Sequence, residues 1–381
     1  MRLSRGRRLP LFLMNLLLTL AQWLTWLLAA AALLATVLPL LRQTAWWVRV
    51  CDFPRLQIVA GLALSLVGAL LLPPLPGPWQ VVFAGGLAAA MVYQVRRVWP
   101  YTPLHHKQVA DAARPPGDAD HHFSLLVTNV LMYNRDAARI LGHIRLRQPD
   151  VVLAIETDAW WLAQLKSIEL THPYTCHAPL PNTYGMLVFS RLPLPQAEIR
   201  YLLEADIPSF HGQVLLPNGV PVNLHFLHPR PPAPAEAKSS VRRDAELLVV
   251  GRAIQHHDGP TVVAGDLNDV AWSHTSELFR RQSRLLDPRI GRGLLPTFHA
   301  NYRLLRWPLD HVFHSAHFRL QHLERLTYMG SDHFPIYIRL SYEPEGWREQ
   351  SAELEVLDAE DRLETRVKIK EGLADVRENP A

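Results

Sequence analysis

Cysteine is nearly absent: the 381 residues contain two, Cys51 and Cys176, which excludes a disulfide framework and a cysteine-based zinc site. Charge is missing altogether from residues 11–41 and 56–95, which excludes a uniformly soluble chain. No Gly-x-Ser-x-Gly elbow and no Gly-Lys-[Ser/Thr] phosphate loop occurs, so serine-hydrolase and P-loop chemistry are set aside. No internal repeat is detectable, which removes solenoids and propellers. With 49% hydrophobic and 19% charged residues the chain is too apolar to be disordered, and its length suggests two to three structural units at roughly 150 residues each.

What is present divides by region. About twenty apolar residues at 1.5 Å rise cross a hydrocarbon core. The charge-free run 11–41 exceeds that, and it predicts a spanning helix. The second run is broken by Pro73-Pro74-Leu75-Pro76-Gly77-Pro78, which predicts two further spans over about 57–72 and 79–95, or a re-entrant hairpin. Trp46, Trp47, Trp79 and Trp99 flank these runs, where indoles favour the headgroup level. Arg2, Arg5, Arg7 and Arg8 before an apolar run also describe a secretory signal, but the run is about twice the usual 7 to 15 residues. The same cluster predicts an N-terminus inside and residues after 100 outside the cytoplasm, although Arg42, Arg49, Arg55, Arg96 and Arg97 give the other side a similar count.

Residues 101–122 are polar, interrupted by Pro103, Pro115, Pro116 and Gly117, and carry His105-His106 and His121-His122 without other ligands at fixed spacing. They read as a linker. Beyond them, short apolar runs predict strands at 123–128, 151–155, 186–189, 220–227, 261–264 and 335–340. Ala137, Ile140, Leu141 and Ile144 line one face of a helix ending before Pro149, and a second helix is expected over about 236–256. Residues 343–381 hold twelve acidic and six basic side chains and read as a loose helix or a solvated extension. The organisation expected is therefore a membrane anchor of about three helices over 1–99, a linker over 100–122, an α/β catalytic domain over 123–342 and a charged tail over 343–381.

The polar residues of the third region fall at strand ends. Asn129, Glu156, His228, Asp266 and Asn268 each follow a buried run, and Asp310 and Asp332-His333 stand in similar settings. Singly, each is an ordinary turn residue; together they describe side chains aimed into one crevice from a rigid scaffold. Carboxylates and carboxamides without thiolates are hard oxygen ligands suited to Mg2+ or Mn2+. Glu156 fits that role best. A histidine backed by a carboxylate, as His333 with Asp310 would be, is the other half of a hydrolytic site. Metal-assisted phosphoester hydrolysis is the class these residues permit.

In their order, Asn129, Ile155-Glu156-Thr157, Gly185 to Ser190-Arg191, His228-Pro229, Gly265-Asp266-Leu267-Asn268, Leu309-Asp310 and Gly330-Ser331-Asp332-His333 resemble the endonuclease/exonuclease/phosphatase superfamily over about 123–341. That superfamily includes pancreatic deoxyribonuclease, abasic-site endonucleases, inositol polyphosphate 5-phosphatases and neutral sphingomyelinases. The resemblance implies a four-layered α/β sandwich with two central β-sheets, preceded here by the transmembrane helical region. It also implies roles: Glu156 as metal ligand with Asn129 and Asp332 near the metal, His333 on the scissile phosphate and oriented by Asp310, Asp266 positioning water, Asn268 holding a phosphate oxygen, and His228 as a second phosphate contact. Abasic-site endonucleases differ at this last position. The arrangement also resembles bacterial membrane-anchored members, some linked to glycopeptide resistance. The substrate expected is a phosphate or pyrophosphate ester carried by a membrane lipid, at a bacterial cell membrane. The alternatives are a tethered nuclease using Arg191, Arg230, Arg242, Arg243, Arg303 and Arg306 on nucleic acid, or an inactive binding domain.

Overall fold

The computed structural model describes residues 11–379 apart from Pro73, Pro74 and Pro76. Arg2, Arg5, Arg7 and Arg8, on which the expected orientation rests, lie outside the described residues, as do those three prolines of the expected break. The chain divides into two compact units, one of 1–43 with 47–99 and the other of 44–46 with 100–381.

In the first unit, α1 (Leu11–Val37) continues as a 3-10 turn over Leu38–Leu41. A short α2 (Trp46–Arg49) leads to α3 (Arg55–Leu71) and α4 (Pro78–Val98). Leu11–Leu41 and Pro78–Tyr101 are long and apolar enough to cross a membrane. α3 alone is shorter than expected of a span and meets Trp46–Asp52 at a bend of 74°, so a third crossing exists only if that bent pair is one span. Leucines such as Leu24, Leu27, Leu64 and Leu70 point outward, while Thr36, Ser65 and Gln94 are buried. Inside, Arg55 donates to Gln94 at 2.8 Å and Gln94 to Thr36 at 3.0 Å. The unit thus turns its leucines outward and gathers several of its polar groups inside.

The second unit holds two mixed sheets. The strands are β1 (His122–Asn129), β2 (Val151–Ile155), β3 (Tyr174–Ala178), β4 (Met186–Ser190), β5 (Glu198–Arg200), β6 (Ser209–Leu215), β7 (Pro221–Leu227), β8 (Thr261–Asp266), β9 (Asp310–His314), β10 (Phe318–Arg325) and β11 (Ile336–Tyr342). The helices are α5 (Ala137–Arg147), α6 (Ala159–Leu165), α7 (Val241–Ile254), α8 (His274–Ser283), α9 (Trp347–Ser351) and α10 (Ala359–Glu378). One sheet runs β10-β11-β1-β2-β4-β3, the other β5-β6-β7-β8-β9; β1/β2 and β7/β8 pair parallel and the remaining pairs antiparallel.

Period-two alternation explains the layering. In β1, Phe123, Leu125 and Val127 face the second sheet, where they meet Phe210, Leu224, Phe226, Val262 and Ala264. The intervening Leu126 packs instead with Ile140 and Ile144 of α5 and Trp161 of α6. Val263 likewise turns away from its neighbours towards Leu247 of α7 and Phe279 of α8. Strands buried on both faces read as continuous apolar runs, which is why they were visible. The result is helices, sheet, sheet, helices: the four-layered sandwich expected.

Two segments differ from expectation. The polar stretch before β1 lies along the domain instead of hanging free: Val109 is buried in the inter-sheet core, Ala112 N–H donates to the Leu320 carbonyl at 2.9 Å, and Glu343 accepts from the Ala113 and Arg114 amides at 3.1 Å. The acidic tail is ordered too. α10 starts in a capping box between Asp358 and Asp361, and Ile369 and Leu357 cover Leu248 and Leu278. Its apolar residues are few, so periodicity alone hid it; ion pairs to α7 and α8 do the rest, including Arg242–Asp375 at 2.6 Å and Arg281–Asp361 at 2.9 Å.

Candidate active site

β1 and β2 end at Asn129 and just before Glu156; β7 and β8 end just before His228 and at Asp266. Both parallel pairs thus discharge their carboxyl ends at one edge of the sandwich, where open α/β sheets leave a crevice. Asp310 opens β9 directly opposite Asp266 in the ladder, and Asp332-His333 lie in the connection between β10 and β11.

The backbone is bent to present these groups. Glu156 and Asn268 take left-handed φ values of 58° and 51°. Such conformations are uncommon for residues with a side chain and cluster at functional positions. Gly265 has φ 140°, and a Cβ there would collide with the Leu227 carbonyl oxygen. β7 and β8 therefore approach to a distance only glycine permits, one residue before Asp266.

The side chains form one connected set. Asp310 Oδ2 accepts from His333 Nδ1 at 2.8 Å, and His333 Nε2 lies 3.4 Å from Asp266 Oδ2. Asp266 Oδ1 accepts the Asn268 amide at 3.0 Å, and Asp266 Oδ2 accepts from Asn129 Nδ2 at 3.2 Å. Asn129 Nδ2 also donates to Glu156 Oε1 at 2.7 Å. His228 Nε2 stands 4.0 Å from Asp266 Oδ2. Asn268 Nδ2 donates to the Pro229 carbonyl at 3.0 Å, tying the loop after β8 to that after β7. Asp332, half-buried, sets its backbone against Ala300 N–H at 2.6 Å. All eight residues singled out from the sequence converge here.

Electrostatics separates the two histidines. Burial opposes charge on His333, but Asp310 and Asp266 outweigh it and raise its pKa to about 10, so the ring is an imidazolium at neutral pH. Burial wins at His228 and lowers its pKa to about 4 against the pull of Asp266, so this ring is neutral. Burial also raises the Glu156 pKa to about 7, with Asp332 and Asp266 adding to it and Asn129 and His333 opposing. Glu156, Asp266, Asp310 and Asp332 together offer hard oxygen donors of the kind that Mg2+ takes. Among the described residues, Asp266, Asp310 and His333 also bring one ligand atom each within 4.8 Å of one another.

Sequence reasoning missed the ring packing. Phe298 lies 4.9 Å from His333 and Tyr184 5.3 Å from His228, centroid to centroid. Tyr184 adjoins the Gly185 of the motif set, so a signal existed; Phe298 sits in a loop with none. The six arginines considered for nucleic acid are mostly engaged. Arg230 pairs with Glu204, Asp206 and Glu236, Arg242 with Glu204 and Asp375, and Arg243 is buried against Asp244. Arg306 stacks on Phe334, whereas Arg303 is exposed.

Comparison with solved structures finds a humanized Danio rerio TDP2 (18% identity, 58% of this chain and 99% of that one, TM-score 0.48) and the human Nocturnin catalytic domain with bound sulfate (16%, 58% and 94%, 0.47). It also finds an endonuclease/exonuclease/phosphatase from Beutenbergia cavernae (21%, 58% and 72%, 0.47). No curated protein sequence matches. The model of one family spans residues 126–333, which takes in all eight site residues, and the chain belongs to that family, the endonuclease/exonuclease/phosphatase family.

Proposed function

We propose that this chain is a membrane-anchored, divalent-metal-dependent phosphoesterase whose substrate is a phosphate or pyrophosphate ester carried by a membrane lipid. The observation that supports hydrolysis is the Asp310–His333–Asp266 series ending beside Glu156. Glu156, with Asn129 and Asp332, would hold Mg2+ or Mn2+, which when bound supplies Lewis-acid neutralisation of a phosphate oxygen.

The chain's own residues account for the remaining steps. Asp310 orients the His333 ring through Nδ1 and helps keep it cationic, so that Nε2 would face the scissile phosphate as a charged donor. Asp266 orients the attacking water and takes its proton. Asn268 offers its second amide N–H to a phosphate oxygen, and neutral His228 offers another donor without adding charge. Preorganised donors at the developing charge are the main source of rate.

The lipid-linked substrate is supported by two helices long and apolar enough to span a bilayer, which would raise the local concentration of bilayer-borne phosphates. The proposed organisation is an anchor over 1–99, a connecting segment over 100–122 that lies against the domain it leads into, a catalytic domain over 123–342 and a C-terminal segment over 343–381, in a bacterial cell membrane with the site outside the cytoplasm. A tethered nuclease is the alternative, and it is disfavoured by the carboxylates that already neutralise Arg230 and Arg242.

The test offers detergent-purified full-length protein a polyprenyl pyrophosphate and plasmid DNA in parallel with Mg2+, using Asp266→Asn as the blank. Phosphate release without nicking is expected. Nicking without phosphate release would establish the nuclease instead.

A further inference from the structure

Asn268 is held in its left-handed backbone conformation from behind, by a group that family membership does not point to. Its carbonyl oxygen accepts from Arg243 Nη1 of α7 at 2.7 Å. Arg243 is fully buried, and its other nitrogens are clamped: Nε and Nη2 donate to Asp244 Oδ1 at 3.1 and 2.7 Å, and Nη2 lies 3.1 Å from Asp269 Oδ2. Asp269 in turn accepts from Ser273 Oγ at 2.6 Å, and its carbonyl meets His311 Nε2 at 2.8 Å.

The opposite oxygen of Asp244 faces the C-terminal helix. Asp244 Oδ2 accepts from Lys368 Nζ of α10 at 3.0 Å, from Thr275 at 3.0 Å and from Ser240 at 3.2 Å. Arg243 and Lys368 thus share Asp244 between them, with Asp269 on the far side of Arg243 and Glu364 3.9 Å from Lys368 Nζ, and removing one member would disturb the others. α10 sits hard against α7 at this point: a Cβ on Gly372, one turn beyond Lys368, would overlap Ala245 Cβ. The matched family region ends at 333, so Lys368 lies outside it.

We propose that Arg243 is a positioning residue for Asn268, and that Lys368 of the C-terminal helix sets the position of Arg243 through Asp244. The inference rests on the reading of Asn268 as a phosphate-holding group. It makes the acidic C-terminal segment part of the machinery that shapes the site.

Two measurements on full-length protein in detergent test it. Amide hydrogen exchange reads the backbone of 266–270 without reference to any substrate. Arg243→Lys and Lys368→Met should each speed exchange there about tenfold while 261–264 stays protected, and Lys368→Arg should restore it. Unchanged exchange in 266–270, or equal loss of protection across both segments, would overturn the positioning role. Mg2+-dependent hydrolysis of bis(p-nitrophenyl) phosphate then compares Arg243→Lys, Asn268→Ala and the double variant. The expected result is a kcat loss for Arg243→Lys that vanishes in the Asn268→Ala background, since coupled residues are non-additive; multiplicative losses would refute the coupling. Wild-type protein inert towards this ester would count against the proposed chemistry, and the exchange result would then decide the positioning role by itself.

Discussion

At the scale of single residues, the candidate site gives like side chains unlike environments. His333 and His228 differ in charge because two carboxylates face the first and burial dominates the second. Asp266→Asn and His333→Ala should therefore each lower turnover by about 10² to 10⁴ while the protein remains folded, as steady-state kinetics beside circular dichroism would record. Retained turnover in either would remove the assigned role. Glu246 of α7 supplies a separate pH test. It is buried, one oxygen has no hydrogen-bond partner, and burial with Glu204 nearby raises its pKa to about 8. A folded-state pKa above the unfolded value means stability fully present below about pH 4.5 and lost as pH rises through about 8. Glu246→Gln should match wild type in melting temperature near pH 5 and exceed it increasingly towards pH 9; parallel curves would show that Glu246 is not the group responsible.

At the scale of elements, strand ends and the turns after them carry the candidate site residues. Gly265 decides how closely β7 and β8 run, and hence where Asp266 points relative to His228. Gly265→Ala should cost at least about 3 kcal/mol, because a Cβ meets backbone on a paired strand that cannot yield. A denaturant titration in which it matched wild type would contradict that packing. The strands buried on both faces were legible because they form unbroken apolar runs. β3, β5, β6, β9 and β10 were not: β3, β6 and β10 interleave polar with apolar residues, β5 has three residues, and β9 carries Asp310, His311 and His314 among its five.

At the scale of the whole molecule, a short soluble version is the practical question. A chain ending at Tyr342 would retain both sheets, yet it would lose Lys368 from Asp244 and the cover that Leu357 and Ile369 give Leu248 and Leu278. Breaking a buried pair costs roughly 3–5 kcal/mol, so that truncation should expose the domain to proteolysis and depress activity. Equal protease resistance would return the segment to the solvated extension its composition suggests. For the intact protein, EDTA should abolish hydrolysis and Mg2+ or Mn2+ restore it, and carbonate washing should leave the protein in the membrane fraction. Activity undiminished by chelation would reject the metal-dependent chemistry.

What the sequence by itself determined is chemical inventory and order: apolar runs of membrane length, hard oxygen donors without thiolates, and a series of polar residues at the ends of buried strands. Those are properties of adjacent residues, and hydrophobic patterning reports them locally. Only the tertiary structure decided which of these groups meet. Asp310 reaches His333 across 23 residues and Asn129 reaches Asp266 across 137, through strand pairings that no local pattern encodes. The same holds for the polar segments on either side of the catalytic-domain strands. Their polar composition suits solvent, but their polar groups find partners 230 residues away at Ala113–Glu343 and 124 residues away at Asp244–Lys368, and those pairings, with the few apolar contacts of Val109, Leu357 and Ile369, hold them to the domain.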